Sequence, residues 1–402
     1  MSHPHIEKVK AVSMLSLAAA GMSLVFSGAA AADTLRQAVA EGKASGDIRY
    51  RYEYVDQDGL AEQAGASTIR TLLGYATGPF YGAGAFVEFE DVSVLGAERY
   101  NSTLNGKATY PVVADPEGTE VNQAFLEYSA IADTRLRAGR QRIIYDNARF
   151  IGNVGWRQNE QTYDGVAIVN KSLADTTLNY AYLTNVNTIT GVNLESDALH
   201  LLNASYGGVK VGTLTAYAYL FDFETATDSQ TLGVRFSGAA DMSEGVKAVY
   251  AAEYASQSDY ADAPSTVDAD YMLVEAGVGM KATTFKLGYE LLSGDGVYSF
   301  QTPLATKHAF NGWADKFLTT PANGLEDLYF SVESTVKGVK LAAIYHDFSA
   351  DQGGSDYGSE IDLLAATKLA KDYSVGIKYA GYSADGFATD TDKLWLWAGT
   401  SF

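Results

Sequence analysis

Alternation of polar and apolar side chains is the feature that most constrains this chain. Ile48, Tyr50, Tyr52 and Tyr54 interleave with Asp47, Arg49, Arg51 and Glu53. A period of two sends the two sets to opposite faces of a strand. The pattern returns at Gly84-Ala85-Phe86-Val87-Glu88-Phe89-Glu90, at Thr213 to Tyr219, at Lys286 to Glu290 and at Lys378-Tyr379. About 18 such segments, from residues 46–56 to residues 392–402, fill the chain after its first tenth. Each is about 9–12 residues long, which fits a tilted strand crossing a bilayer better than the shorter strands of soluble sheets.

The connections alternate as well. Short links at 77–81, 130–133, 171–174, 282, 337 and 370–373 separate long ones at 57–67, 93–118, 143–161, 186–195, 257–268, 293–325, 350–357 and 384–391. Transmembrane barrels are built this way, with tight periplasmic turns and long outer loops. The last segment places Leu394, Leu396, Ala398, Thr400 and Phe402 on one face, ending in an aromatic. The sequence therefore predicts an all-β fold, an antiparallel up-and-down transmembrane barrel of about 18 strands over residues 46–402. A short periplasmic segment, 33–45, precedes it. The terminal Phe402 is the expected signal to the barrel assembly machinery, and outer-membrane lipid and lipopolysaccharide are the expected surroundings.

Residues 1–32 read as a secretory signal peptide. Lys8 and Lys10 give a positive start, Ala11 to Phe26 an apolar stretch, and Ser27 to Ala32 a run of small residues suited to cleavage before Asp33. No later stretch holds 18 apolar residues, so a membrane-spanning helix is not expected. The composition narrows the function. With 29 Lys and Arg against 49 Asp and Glu, the net charge of −20 argues against a nucleic-acid binder. The absence of cysteine excludes disulfides, thiolate catalysis and Cys-ligated metal. A lumen enclosed by about 18 strands is too wide for wall side chains to fill, so it is expected to hold water unless loops fold inward.

Arginine is concentrated: ten of the 12 lie between positions 49 and 157. Arg49, Arg51, Arg135 and Arg137 alternate with apolar neighbours and so face the lumen, because charge on the lipid side costs roughly 2–4 kcal/mol near the midplane. Arg140, Arg142 and Arg157 complete the candidate pore-lining set. Guanidinium groups in a pore favour carboxylates and other anions. Glu53, Glu88, Glu90 and Glu127 face the lumen too, and a neutralised ladder of paired charges is the other reading. The connection 143–161 carries Ile143, Phe150, Trp156, Arg149 and Arg157, a composition that seeks burial, and it is expected to fold inward and narrow the pore.

The mature start through Glu41-Gly42-Lys43 and Gly46-Asp47-Ile48-Arg49-Tyr50-Arg51-Tyr52-Glu53 and the block from Gly139-Arg140-Gln141 to Tyr163-Asp164-Gly165-Val166 resemble the alginate-export family of outer-membrane porins. The resemblance covers the first third well and continues as general barrel pattern. It implies an 18-stranded barrel with an Arg- and Lys-lined, anion-selective pore, in a family whose named member exports a polyuronate.

A catalytic role is not expected, and neither a metal nor a cofactor. No Gly-x-Ser-x-Gly elbow or His-Glu-x-x-His pair is present. His346-Asp347 has acid–base residues, but chain neighbours in a strand point to opposite faces. The expected function is passive diffusion of small hydrophilic, anionic solutes such as acidic sugars or carboxylates. The alternative is a surface-recognition or structural barrel whose loops 143–161 and 293–325 bind a partner, the second carrying Phe300, His308, Phe310, Trp313 and Phe317.

Overall fold

The computed structural model describes residues 32–370 and 372–402. The expected signal peptide, apart from Ala32, lies outside the described residues. A short helix, α1 (Leu35–Ala40), is capped by Thr34, whose Oγ1 accepts from the Gln37 N–H at 3.1 Å. Strands β1 (Lys43–Gln57), β2 (Ala64–Ala76), β3 (Ala83–Val94), β4 (Gly118–Tyr128), β5 (Thr134–Gln141) and β6 (Thr162–Asn170) follow. Next come β7 (Thr176–Asn187), β8 (Asn193–Tyr206), β9 (Gly212–Phe223), β10 (Ser229–Ser243), β11 (Val246–Ser258) and β12 (Asp268–Met280). The last six are β13 (Thr283–Leu292), β14 (Leu325–Val336), β15 (Val339–Ser349), β16 (Asp356–Leu369), β17 (Tyr373–Ala384) and β18 (Thr391–Ser401). Their count is the 18 that the alternation requires. β1 opens at Lys43, so the sheet starts inside the segment expected to precede it.

Each strand pairs antiparallel with the next, and β1 also pairs with β18, Tyr52 opposite Leu396. The sheet thus closes on itself with no edge. In hydrocarbon an unpaired N–H has no water to turn to, and closure satisfies every strand in turn. Turns at one end are tight. Lys337 and Gly338 both have positive φ, the type I′ geometry that matches the twist of two adjoining strands. At the other end the connections 95–117, 142–161 and 293–324 are long, which makes that end extracellular. Helix α1 lies at the periplasmic end, where the Gly78 N–H donates to Ala38 O at 2.8 Å.

The faces follow the alternation. Leu287, Phe330, Tyr345 and Ile361 are lateral neighbours on successive strands and all stand exposed on the outer wall. A continuous apolar belt of this kind has no counterpart on a water-facing surface and is covered by lipid. The inner wall is polar, and His346 sits on it while Asp347 takes the outer side. Leu287→Arg, at the middle of β13 on the lipid side, is expected to lower the barrel's unfolding free energy by about 2–4 kcal/mol in urea titrations in lipid bilayers.

Candidate functional site

Two extracellular connections lie inside the barrel. The first, residues 142–161, crosses the lumen from β5 to the far wall and back. Phe150 packs against Tyr217 of β9, Tyr271 of β12 and Phe300, with ring centroids 5.2–5.9 Å apart. Next to it Arg149 donates to Glu290 of β13 at 2.7 Å and to Asn311 at 3.0 Å. The connection then reaches β1. Arg49 donates to the carbonyl of Gly155 at 3.0 Å, Arg51 to the carbonyl of Trp156, and Arg157 donates to Glu53 at 3.0 Å. Gln158 donates to Thr68 of β2 at 2.8 Å, and its N–H donates to Asp115 at 2.8 Å.

The second connection, 293–324, meets the first from the opposite side. The Gly152 N–H donates to Leu304 O at 2.9 Å, and the Thr306 N–H donates to Ala148 O at 3.0 Å. A Cβ on Gly152 would stand 2.9 Å from Thr306, so the close approach of the two backbones requires glycine there. Asn311 and Gly312 take positive φ and turn the chain so that the N–H groups of Trp313 and Ala314 donate to Asp362 at 3.2 Å and Glu360 at 2.7 Å, both on β16. Asp315 then receives Arg157 at 2.8 Å and Lys393 of β18 at 2.8 Å, while His308 joins it to Lys378 of β17. Phe317 closes the far end among Phe348, Tyr357, Tyr382 and Phe387. Most large apolar residues of both connections are thus used inside the barrel, while Ile144, Val297 and Leu318 stay exposed.

Most of the arginine charges in the lumen are matched. Seven arginines sit in ion pairs there: Arg51 with Asp115, Arg70 with Asp47, Arg137 with Glu127, Arg142 with Glu160, Arg149 with Glu290, Arg157 with Glu53 and Asp315, and Arg235 with Glu253; an eighth, Arg140, pairs with Asp164 on the outer side. Burying an unpaired charge would cost several kcal/mol, which explains the matching. Burial alone would push the Asp115 carboxyl up, but Arg51 and Arg157 outweigh it and hold it below its ordinary value. Glu160 is held low in the same way by Arg142 and by amide donors from Asn122 and Asn153.

The candidate residues divide accordingly. Arg49, Arg51, Glu53, Glu88, Glu90, Glu127, Arg135 and Arg137 all stand on the inner wall, and Arg142 and Arg157 belong to the inward connection. Arg51, Glu53 and Glu90, however, are at most 1% exposed. The 142–161 connection covers them, and they anchor it rather than meet lumen water. Arg140 is a correction. It pairs in register with Ala124 and Asp164 beside the outward-facing Leu136 and Ala138, and it bonds Asp164 at 2.8 Å near the extracellular rim. Gly139 takes the lumen-facing place that its position next to Arg137 and Gln141 would suggest for it, and the period of two leaves Arg140 outside.

A cavity of about 320 Å³ remains beneath the first connection, against the periplasmic half of β5–β8. Arg135, Arg137 and Arg142 line it together with one acid, Asp146, facing Thr177, Asn179, Asn203 and Ser205. Arg137 is tied to Glu127 at 2.7 Å and lies over the Phe125 ring. Arg135 has no acidic partner within bonding distance among the described residues. The inner wall of β10–β18 carries charged side chains that arginine counting passes over: Glu275 with Lys286 at 2.6 Å, Glu290, Asp327, Glu360, Asp362, Lys378 and Lys393. Their signal was present in the alternation, since Glu360 and Asp362 flank Ile361, and Lys378 lies between Ile377 and Tyr379. A bulge at Asn122 is different. It lets consecutive Asn122 and Gln123 both donate to Glu88, at 2.9 and 2.8 Å, which no fixed period foretells.

A closed antiparallel barrel of this size, with a lipid-covered belt and its loops drawn into the lumen, is an outer-membrane barrel of the porin type. Solved structures share the fold. OccD3 (OpdP) of Pseudomonas aeruginosa superposes with a TM-score of 0.71 at 16% identity over 90% of this chain and 92% of its own. OpdK of the same organism, solved with vanillate, gives 0.71 at 15% identity over 90% and 98%. OccAB4 of Acinetobacter baumannii gives 0.69 at 13% over 90% and 98%. The alginate export family matches residues 42–295, and the chain belongs to it. That match extends well beyond the first third on which the sequence resemblance rested. No curated protein matches the chain in sequence.

Arg149→Met would leave Glu290 buried without its cation, a loss of about 3–5 kcal/mol in docking of the two connections. The expected outcome is new tryptic cleavage after Lys307 or Lys316 in the folded protein. Arg149→Met combined with Glu290→Leu should recover most of the protection.

Proposed function

We propose that this protein is a porin through which small hydrophilic solutes diffuse passively across the outer membrane, with a preference for anions such as carboxylates and acidic sugars. The cavity beneath the 142–161 connection carries this reading. It brings Arg135, Arg137 and Arg142 together with a single lining acid, Asp146, and Arg135 is not neutralised by a bonded acid. Guanidinium groups bind carboxylates through paired N–H donors, and the facing amides and hydroxyls of Asn179, Asn203, Thr177 and Ser205 suit sugar hydroxyls. Most other lumen arginines are tied to acids, so the reading rests on Arg135. The vanillate of the OpdK structure and the alginate of the family's description are both carboxylate-bearing, which agrees in chemistry.

The same reading includes a signal peptide over residues 1–32 removed at export. It also includes Phe402, exposed at the periplasmic end of β18, as the contact for the barrel assembly machinery, and lipopolysaccharide around the outer half of the belt. Arg135→Glu tests the selectivity without touching the anchors of the inward connections. In a planar bilayer under a salt gradient, the parent is expected to reverse toward chloride. The variant should shift toward potassium by on the order of 1 kcal/mol, about fivefold in permeability ratio. An unchanged reversal potential would remove the cavity from the selectivity path.

A further inference from the structure

His308 sits in the second inward connection, 5% exposed, with its protonation fixed by its neighbours. Its Nδ1 lies 2.6 Å from Asp315 Oδ1, so Nδ1 holds the proton and donates it. Its Nε2 lies 2.7 Å from Lys378 Nζ. An ammonium can only donate, so Nε2 must be the bare acceptor. The Lys378 amino group faces the rings of Trp313, Trp156 and Trp395, at 3.6, 4.3 and 5.4 Å, with Glu360 and Asp362 on the neighbouring strand β16. The ring of His308 stacks flat on Trp156 of the first connection, with centroids 4.9 Å apart and planes inclined by 6°.

The other charges around the ring come from every packed element. Asp315 belongs to the same connection, Arg157 to the first connection and Lys393 to β18, and both of those cations bond Asp315 at 2.8 Å. Asp315, Lys378, Arg157 and Lys393 therefore surround the imidazole, with Glu360 and Asp362 beyond Lys378. A second proton on the ring would set an imidazolium N–H against an ammonium at contact distance in a dry site, where like charges repel strongly.

We propose that His308 is a pH-sensitive latch: as a neutral ring it holds the 293–324 connection down on Trp156 and Lys378, and its protonation frees residues 307–317 and widens the lumen. The inference rests on reading the barrel as a channel. The contacts at Leu304 and Thr306, and the Arg149–Glu290 pair, hold no titrating imidazole and keep the base of the connection in place.

The direction follows from linkage. Burial, opposed by Asp315 and reinforced by Lys378 and Arg157, holds the latched His308 well below the ordinary histidine value. Asp315, although burial pushes it up, is held well below its ordinary value by His308, Lys393 and Arg157, so it stays ionised through the mildly acid range. A released ring in water returns to about 6.5. The latched state is favoured above that pH and loses ground as the pH falls below it. Between pH 7.5 and 5.0 the ratio of latched to released forms is expected to fall about thirtyfold.

The chain has four tryptophans, and Trp156, Trp313, Trp395 and Trp397 all lie in this cluster, so intrinsic emission reports the latch without any current. The experiment records emission and single-channel conductance of the full barrel at both pH values, for the parent and for His308→Gln. Glutamine keeps a donor for Asp315 and an acceptor for Lys378 but does not titrate, while His200 and His346 remain as internal controls. The expected result is a reversible emission change and higher conductance at pH 5.0 in the parent, both absent in the variant. A pH response that persists in His308→Gln, or parent emission and conductance that do not change, overturns the latch. An emission change that His308→Gln abolishes, in a barrel that conducts at neither pH, keeps the latch and overturns the channel reading instead.

Discussion

The backbone hydrogen bonds of β1 to β18 set the terms for everything else in this molecule. Hydrocarbon offers no substitute partner, so the sheet must close, and closing it with 18 strands leaves an interior wider than the side chains of its own wall can fill. The alternation of Tyr50 with Arg51, or of Ile361 with Asp362, is the same requirement seen one residue at a time. One side chain meets lipid and the next meets whatever occupies the interior. The apolar belt and the polar wall are therefore a single consequence of closure.

What occupies the interior is the chain itself. The two inward connections bring Phe150, Trp156, Trp313 and Phe317 into a polar-walled space, and the wall meets them with both polar and aromatic partners. Backbone carbonyls of 155–157 accept from Arg49 and Arg51, and backbone N–H groups of 313 and 314 donate to wall carboxylates. Irregular backbone at membrane depth is tolerable only when it is satisfied in this way. The arginine-rich first third consequently works chiefly as scaffolding. Most of its charges are paired, and Arg49, bonded to carbonyls of the first connection, and Arg135 are left without a bonded acid.

Fold and topology were legible in the sequence because each depends on local chemistry. A period of two, a Lys337-Gly338 turn and a terminal aromatic each carry their meaning within a few residues. The inward path of 142–161 was legible too, from Phe150 and Trp156 placed where a wet loop would have none. The charged wall of β10–β18 was readable but was overshadowed by the density of arginine elsewhere. The pairing of Arg157 with Asp315, or of Arg149 with Glu290, was not readable. These contacts join residues more than a hundred positions apart, and no periodicity links them. Arg140 shows the opposite failing: a motif rich in arginine suggested the lumen, while its own position in the alternation pointed outward.

Glu53 belongs to β1 and Lys393 to β18, the first and last strands, and Arg157 and Asp315 connect them through the lumen. The seam where the barrel shuts is thus tied from within by two connections that belong to neither strand. During biogenesis these ties cannot form until both ends of the chain have arrived, since one anchor is made first and the other last. Filling of the interior is then coupled to completion of the wall. A barrel lacking its final strand would keep the Asp315 carboxylate and the 307–317 segment without their last cation, a state that differs from the finished protein inside as well as at its edge.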